Sequence, residues 1–325
     1  MAWFPTDADC LDYLEWLRWP EGFVCPGCGS AGGWRLGDGR FRCAGCKSRT
    51  SPTAGTIFDR TRTPLTVWFT ACWLFATQKD GVSALSLQRA LEISSYQTAW
   101  AMLHRLRSVL VRPGRERLSG TVEVDETYIG GEEPGLPVGR AKGKKSLVGI
   151  AVERIGSRGF GRCRMARLAD ASAGSLRAFL VDSVEEGATV ISDGWQPYRQ
   201  ATAGLYSHER YVASGHRASE LLPGVHRIAA LTKRWLLGTH QGSVDEAHLP
   251  HYLNEFVFRF NRRRSRSRGL VFYRVLELAV DHDPVRYRDL VMDPQPMAKP
   301  PVPPATRGHP ESLERPPAGR PWRAA

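Results

Sequence analysis

The sequence predicts an α/β protein made of a small metal-stabilised module, a helical module and a larger sheet-containing module. Three observations carry this reading. Two C-x-x-C pairs lie close together near the start. An aromatic-rich stretch with helical spacing follows them. From Gly120 the apolar pattern changes to the alternation of strands, and from Ser219 it returns to helices.

The first module rests on cysteine spacing. Cys25-Pro-Gly-Cys28 and Cys43-Ala-Gly-Cys46 are separated by 14 residues. A glycine inside each pair lets the backbone fold round an ion. Between the pairs, Trp34-Arg-Leu and Arg40-Phe-Arg read as short strands about the turn Gly37-Asp-Gly. This is zinc-ribbon spacing. Four thiolates close a tetrahedral site and leave no open position, so Zn²⁺ there is structural. The ribbon is expected over residues 1–55. Cys10, Cys72 and Cys163 are unpatterned and read as small core or surface residues.

Composition narrows the partner. The 325 residues carry a net charge of +12, with a pI near 9.7. That balance favours a polyanion, usually nucleic acid. No apolar run approaches the ~18 residues needed to span a membrane. Met1 to Cys10 carries acids and no apolar signal core, so a cytoplasmic, nucleoid-associated protein is expected. Seven cysteines in such a chain argue against a disulfide framework.

The helical module is expected over residues 56–117. Pro64 to Gln78 repeats apolar residues at helical spacing and carries Trp68, Phe69, Trp73 and Phe75. Val82 to Leu91 reads as a short helix, Ile93-Ser-Ser as a turn, and Tyr96 to Leu110 as a helix bearing His104, Arg105 and Arg107. Helix, turn and basic helix outline a helix-turn-helix, with Arg105 and Arg107 as candidate DNA contacts. Plain helical packing is the alternative.

The third module is expected over residues 118–292. Thr121 to Ile129, Ser146 to Ile155 and Phe160 to Leu168 read as consecutive strands, the first two separated by a Gly/Pro/Lys stretch and the last two by the turn 156–159. Ser172 to Val184 reads as a helix, Ala188 to Ser192 as a fourth strand and His208 to Val212 as a fifth. The order β-β-β-α-β-α is ribonuclease-H-like, a mixed sheet in which strands one and four are neighbours. The Pro- and Arg-rich residues 293–325 read as a disordered tail.

Two carboxylates stand out in that sheet. Asp125 points away from Val122 and Val124 in mid-strand, where an unpaired charge is costly. Asp193 ends the fourth strand just before Gly194. Side by side, they form a pair of hard oxygen ligands suited to Mg²⁺ or Mn²⁺. Two such ions ~3.5–4 Å apart can activate an attacking oxygen and stabilise a leaving oxygen of a phosphodiester. A third ligand is sought on a nearby helix. Leu222 to Trp235 offers His226, with Lys233 two turns along the same face for a phosphate. His251 to Arg262 offers Glu255, with Arg259 and Arg262 on its own face. Arg259, Arg262 and Arg263 begin the densest basic run and are candidate phosphate contacts, as is Arg234 beside Lys233.

At these residues the sequence resembles bacterial insertion-sequence DDE-type transposases of the ISXO-like group with an N-terminal zinc ribbon. The matching motifs are the two cysteine pairs, Val124-Asp-Glu-Thr-Tyr-Ile-Gly-Gly131, Ser192-Asp-Gly194 followed by Tyr198, Lys233-Arg-Trp-Leu-Leu-Gly-Thr-His240 and Tyr252-Leu-x-Glu-Phe-x-Phe-Arg-Phe-Asn-Arg262. The resemblance runs from about Trp16 to about Leu278. It implies metal-dependent cutting and joining of double-stranded DNA at terminal inverted repeats, with transfer to target DNA by a homodimer or larger assembly. It implies Asp125 and Asp193 as metal ligands. Where many relatives place Glu or Asn, seven residues before the lysine, this chain has His226, and related branches use His there. His226 is expected as the third ligand ahead of Glu255, because it follows Asp193 by 33 positions and shares its helix face with Lys233, whereas Glu255 lies on a later helix among its own arginines. A DNA-binding regulator derived from such an enzyme and a structure-specific nuclease remain as other readings.

Overall fold

A computed structural model describes residues 4–112, 114–130, 145–156, 159–211, 221–242 and 244–292. The expected tail and most of the Gly/Pro/Lys stretch lie outside the described residues.

The chain opens on a helix that the spacing arguments did not anticipate, α1 (Asp7–Arg18). Thr6 and Asp9 form a reciprocal capping box that satisfies two otherwise orphaned amides. The ribbon then forms a three-stranded antiparallel sheet of β1 (Gly33–Arg35), β2 (Phe41–Cys43) and β3 (Arg49–Thr50). Trp34 pairs with Arg42 across the Gly37-Asp-Gly turn. Phe23 and Phe41 stack at 4.8 Å beside the buried Cys25 and Cys43.

Three helices follow: α2 (Leu65–Thr77), α3 (Ala84–Ala90) and α4 (Tyr96–Ser108). Ser83 and Ser95 cap α3 and α4, which fixes the turn between them. Segments from both ends of the described chain contribute to their core. Cys10 and Leu14 of α1 pack with Trp68, Phe69 and Leu103, and with Val275 and Leu276 from near the end of the described chain.

The larger sheet holds β4 (Thr121–Ile129), β5 (Ser146–Ile155), β6 (Gly159–Arg167), β7 (Thr189–Ser192) and β8 (Ser207–Arg210) in the order β6-β5-β4-β7-β8. The first three strands are antiparallel, and β7 and β8 run parallel to β4. This is the ribonuclease-H-like order expected from the element sequence. Helix α5 (Ala173–Ser183) makes the crossover to β7, and the short α6 (Pro197–Thr202) precedes β8. Both cover the face that carries Val122, Val124 and Val190.

The opposite face is covered by α7 (Pro223–His240) and α8 (Leu249–Asn261). Helix α7 runs five residues past its expected end at Trp235. Two further helices, α9 (Arg268–Asp281) and α10 (Tyr287–Met292), complete the described chain. Among the described residues no helix is long and apolar enough to cross a membrane.

Candidate nucleic-acid-processing site

The site begins with strand register. β4 and β7 pair in parallel, with Glu123 opposite Ile191. Two residues further along the same register stand Asp125 and Asp193. Neighbouring strands lie about 4.8 Å apart, so a register carried two residues past the last pair would bear the two carboxylates side by side. Both are half-buried. Asp125 Oδ1 accepts from the Glu126 amide at 2.8 Å, and Asp193 Oδ1 accepts from the Trp195 amide at 2.9 Å. These bonds hold the side chains close to their own backbone.

Helix α7 lies along β4 on the Asp125 face. Glu123 Oε2 accepts from the amides of Gly224 and Val225, at 2.7 and 3.2 Å. Two strand positions past Asp125, Thr127 Oγ1 accepts from Lys233 Nζ at 2.9 Å. Strand side chains alternate, so Asp125 sits on the same face between these anchors. Four strand residues and nine helix residues each span about 13 Å, which is why both anchors fit at once.

Glu123 is a site residue that the sequence reading missed. Its carboxylate is fully buried, and burial holds its pKa above the ordinary carboxylate range. It caps the positive end of α7, where an anion is stabilised. Gly224 makes the approach possible. A Cβ there would come within 2.7 Å of Phe160 and 2.8 Å of Glu123 Oε2. The clamp fixes the first turn of α7, which carries half-buried His226. The available signal was parity, since Glu123 is an acid in mid-strand facing the same way as Asp125.

On the other face, buried Tyr198 donates to Glu126 Oε2 at 2.8 Å. Burial, and then the charges of Glu126, Asp125 and Asp193, push its phenol well above its ordinary pKa. Asp125, Glu126 and Asp193 thus all act on Tyr198, and they make this end of the sheet electronegative. Hard oxygen donors there fit a divalent cation, and cations there would offset the mutual repulsion. Asp125, Asp193 and His226 are not drawn into a tight cluster: among the described residues, the four ribbon cysteines are the only group of three or more His, Cys, Asp or Glu ligands so gathered.

That cysteine cluster fits zinc. Its ligand atoms lie within 4.8 Å of one another. Cys25 and Cys46 sulfurs are 3.7 Å apart, and Cys28 and Cys43 sulfurs 3.6 Å. A tetrahedron with Zn–S bonds of about 2.3 Å has edges of about 3.8 Å. The Ser30 hydroxyl and amide bring the Cys28 thiol down to about 6, which favours the ligating thiolate.

The remaining expected site residues are placed differently from one another. Arg107, expected at the DNA surface, is 1% exposed, and its Nε donates to Glu255 Oε2 at 2.8 Å. Glu255, expected in the catalytic set, is wholly buried between Arg107 and Arg259, with its second oxygen 3.8 Å from Arg259. The correction has one physical cause: α8 packs on α4, and a buried carboxylate between two guanidinium groups has its charge already matched. Arg259 also donates to the backbone carbonyls of Phe75, Gln78 and Lys79, so it ties α8 to the loop after α2 rather than facing solvent. Arg105 is likewise engaged, through Val285 O at 2.7 Å. Lys233 and Arg234 are exposed on α7. Arg262 and Arg263 lie over the rings of Phe258 and Phe260.

Comparison with known proteins now bears on this geometry. Residues 117–261 match the ISXO2-like transposase domain, and residues 5–49 match the transposase zinc-ribbon domain. Together these stretches cover more than half of the chain. A Halobacterium salinarum protein described as an uncharacterized protein in transposable element ISH50 is 26% identical over 276 residues, 79% of this chain and 91% of that one. The Mos1 transposase paired-end complex with left transposon end aligns at 12% identity over 66% of this chain and 79% of its own, with a TM-score of 0.23, a likeness too loose to carry an argument. The matched domain spans the sheet, Asp125, Asp193 and helices α7 and α8, and the matched ribbon spans all four cysteines: the chain carries an ISXO2-like transposase domain with a transposase zinc-ribbon domain before it.

Proposed function

We propose that this transposase cuts the ends of an insertion element and joins the freed 3′-OH to target DNA by metal-dependent phosphoryl transfer. The observation that supports the reading is the parallel β4–β7 pairing, whose last pair, Glu123 with Ile191, stands two residues before Asp125 and Asp193. These two residues, with His226 as third ligand, would hold Mg²⁺ or Mn²⁺. Such ions, when bound, would activate the attacking oxygen and stabilise the leaving oxygen. The chain's own residues supply position and charge. Glu123 holds the first turn of α7 against β4 and so sets where His226 stands. Lys233, held against β4 by Thr127, takes a phosphate of the DNA, and the exposed Arg234 beside it takes a neighbouring one. The ribbon, with one Zn²⁺ on Cys25, Cys28, Cys43 and Cys46, and the α3–α4 pair recognise the terminal inverted repeats. Two ends must be brought together, so the working form on DNA is a homodimer or larger, acting in the cytoplasm at the nucleoid.

The test is cleavage and strand transfer on duplexes that carry the element's ends. Asp125→Asn and Asp193→Asn should each lower both rates by several decades while end binding persists, because an amide keeps the shape and loses the charge that holds the metal. Near-normal cleavage by either variant would remove that residue from the site. Cleavage by the wild type without strand transfer would make the protein a nuclease, and end binding without cleavage would make it a regulator.

A further inference from the structure

A cavity of about 310 Å³ opens where the α4–β4 linker, the edge strand β6 and helices α8 and α9 meet. Six arginines line it and only one carboxylate, Glu116. Asp125, Asp193 and His226 are not among its lining residues. Four of the arginines have acids to answer them. Arg112 pairs with Glu116, Arg115 with Asp182, Arg162 with Glu153 and Arg274 with Glu277.

Arg164 and Arg262 are different. Arg164 is 6% exposed and donates only to backbone carbonyls, those of Cys163 at 3.1 Å and Glu116 at 2.6 Å. Its buried Nε has no acceptor. Arg262 donates weakly to Phe258 O at 3.4 Å and lies 3.9 Å over the Phe258 ring. Neither has a carboxylate partner among the described residues. Burial, then the charges of Arg274, Arg112 and Arg164, bring Arg262 down to about 10. Burial, then Arg115 and Arg162, bring Arg164 to the same value. Cations desolvated and crowded in this way are costly unless an anion answers them.

We propose that this cavity is a phosphate-binding site separate from Asp125 and Asp193, built on Arg164 and Arg262 and taking one or two clustered phosphate groups. Guanidinium forks match phosphate oxygens in pairs, and a buried N–H without an acceptor is the donor such an oxygen would meet. The space is many times what a single water needs, so more than one phosphoryl group fits. The phosphate can come from the backbone of bound DNA or from a free ion such as pyrophosphate. The inference goes beyond the cleavage chemistry, and its test has no catalytic readout, so the two readings can fail separately.

The experiment compares the full chain with Arg164→Met and Arg262→Met, which keep the apolar stem and remove the charge. Melting is followed in sodium pyrophosphate and in sodium chloride of equal ionic strength. Pyrophosphate well above its Kd should raise the wild-type Tm by about 4 °C beyond the chloride control. Both variants should melt at or above the wild type without pyrophosphate, because an unanswered cation has gone, and both should lose the specific shift. A merely structural arginine would give lower melting and an unchanged shift, and that result would overturn the proposal. Calorimetric titration of pyrophosphate into the wild type gives a second reading should a variant fail to fold; no saturable binding there, with no specific shift, would also overturn it. The salt dependence of non-specific duplex binding separates the sources. If DNA supplies the phosphate, Arg262→Met should flatten the log–log slope by about 1 and pyrophosphate should compete with DNA. If the ion is free, the slope should stay unchanged while the Tm shift disappears.

Discussion

Replacing Glu255 by Gln tests whether this carboxylate is a strut or part of the chemistry. The side chain is wholly buried and faces Arg107 at 2.8 Å and Arg259 at 3.8 Å. Arg107 is itself 2% exposed at the side chain and stacks 4.1 Å over Tyr252. An amide fills the same volume, so the loss is electrostatic: two guanidinium groups remain near each other in a desolvated joint. Removing one partner of a buried pair costs about 3–5 kcal/mol, and the second cation places this case near 4. At about 2.1 cal/mol/K per residue, a folded chain of this size loses roughly 1.5–2 °C of Tm per kcal/mol, which gives a fall of about 6–8 °C. The assay is thermal denaturation of Glu255→Gln, Arg107→Met and the combined Glu255→Leu/Arg107→Met variant. The combined change should recover much of the loss, since an apolar pair of similar volume leaves no unanswered charge. DNA cleavage by Glu255→Gln, measured below its melting range, should stay within about tenfold of the wild type. A Glu255→Gln protein that melts with the wild type yet cleaves nothing in either Mg²⁺ or Mn²⁺ would refute the strut and make Glu255 the third ligand.

Other outcomes follow from the same geometry. His226→Ala should abolish cleavage, whereas His226→Glu should keep it with better use of Mg²⁺ relative to Mn²⁺, because a carboxylate is the harder ligand; cleavage rates in the two metals decide this. Cys28→Ser should release zinc, weaken end binding and leave the sheet domain folded, as read by metal analysis showing about one Zn per wild-type chain and none in the variant. Stability should also fall on acidification. Burial, and then Arg107 and the neighbouring histidines, hold His104 far below its ordinary pKa, while burial, then Arg107 and Arg259, hold His240 at about 3. Both are neutral in the fold. Their stabilising contribution is present above the unfolded pKa of about 6.5 and is lost as pH falls below it, when only the unfolded chain takes up the two protons. The slope should approach 2.7 kcal/mol per pH unit below about pH 6 at most. His104→Leu should flatten the melting profile between about pH 6.5 and 5, and an unchanged profile would sink the assignment.

Local pattern determined a large part of this protein. The ribbon was legible because its four ligands lie within one short stretch and their spacing is set by the ion they would hold. Two strands were legible from local pattern: β4 because its side chains alternate with a period of two, and β5 because it is a short apolar run buried on both faces. That the strand bearing Asp125 and the strand leading to Asp193 are neighbours followed from element order, and β4 and β7 do pair in parallel. Tertiary structure decided the roles of the charges. Arg107 and Arg105 sit in a basic helix and look like a DNA surface, yet Arg107 finds its acid 148 positions away. Glu255 and Arg259 share a helix face, but the packing of α8 on α4 turns both into a joint. Glu123 is one acid among several in its strand until the start of α7 arrives over it. A side chain's type fixes its charge, but its effect depends on how much water and which counter-charge remain around it. Those are supplied by segments distant in sequence, so no local spacing encodes them.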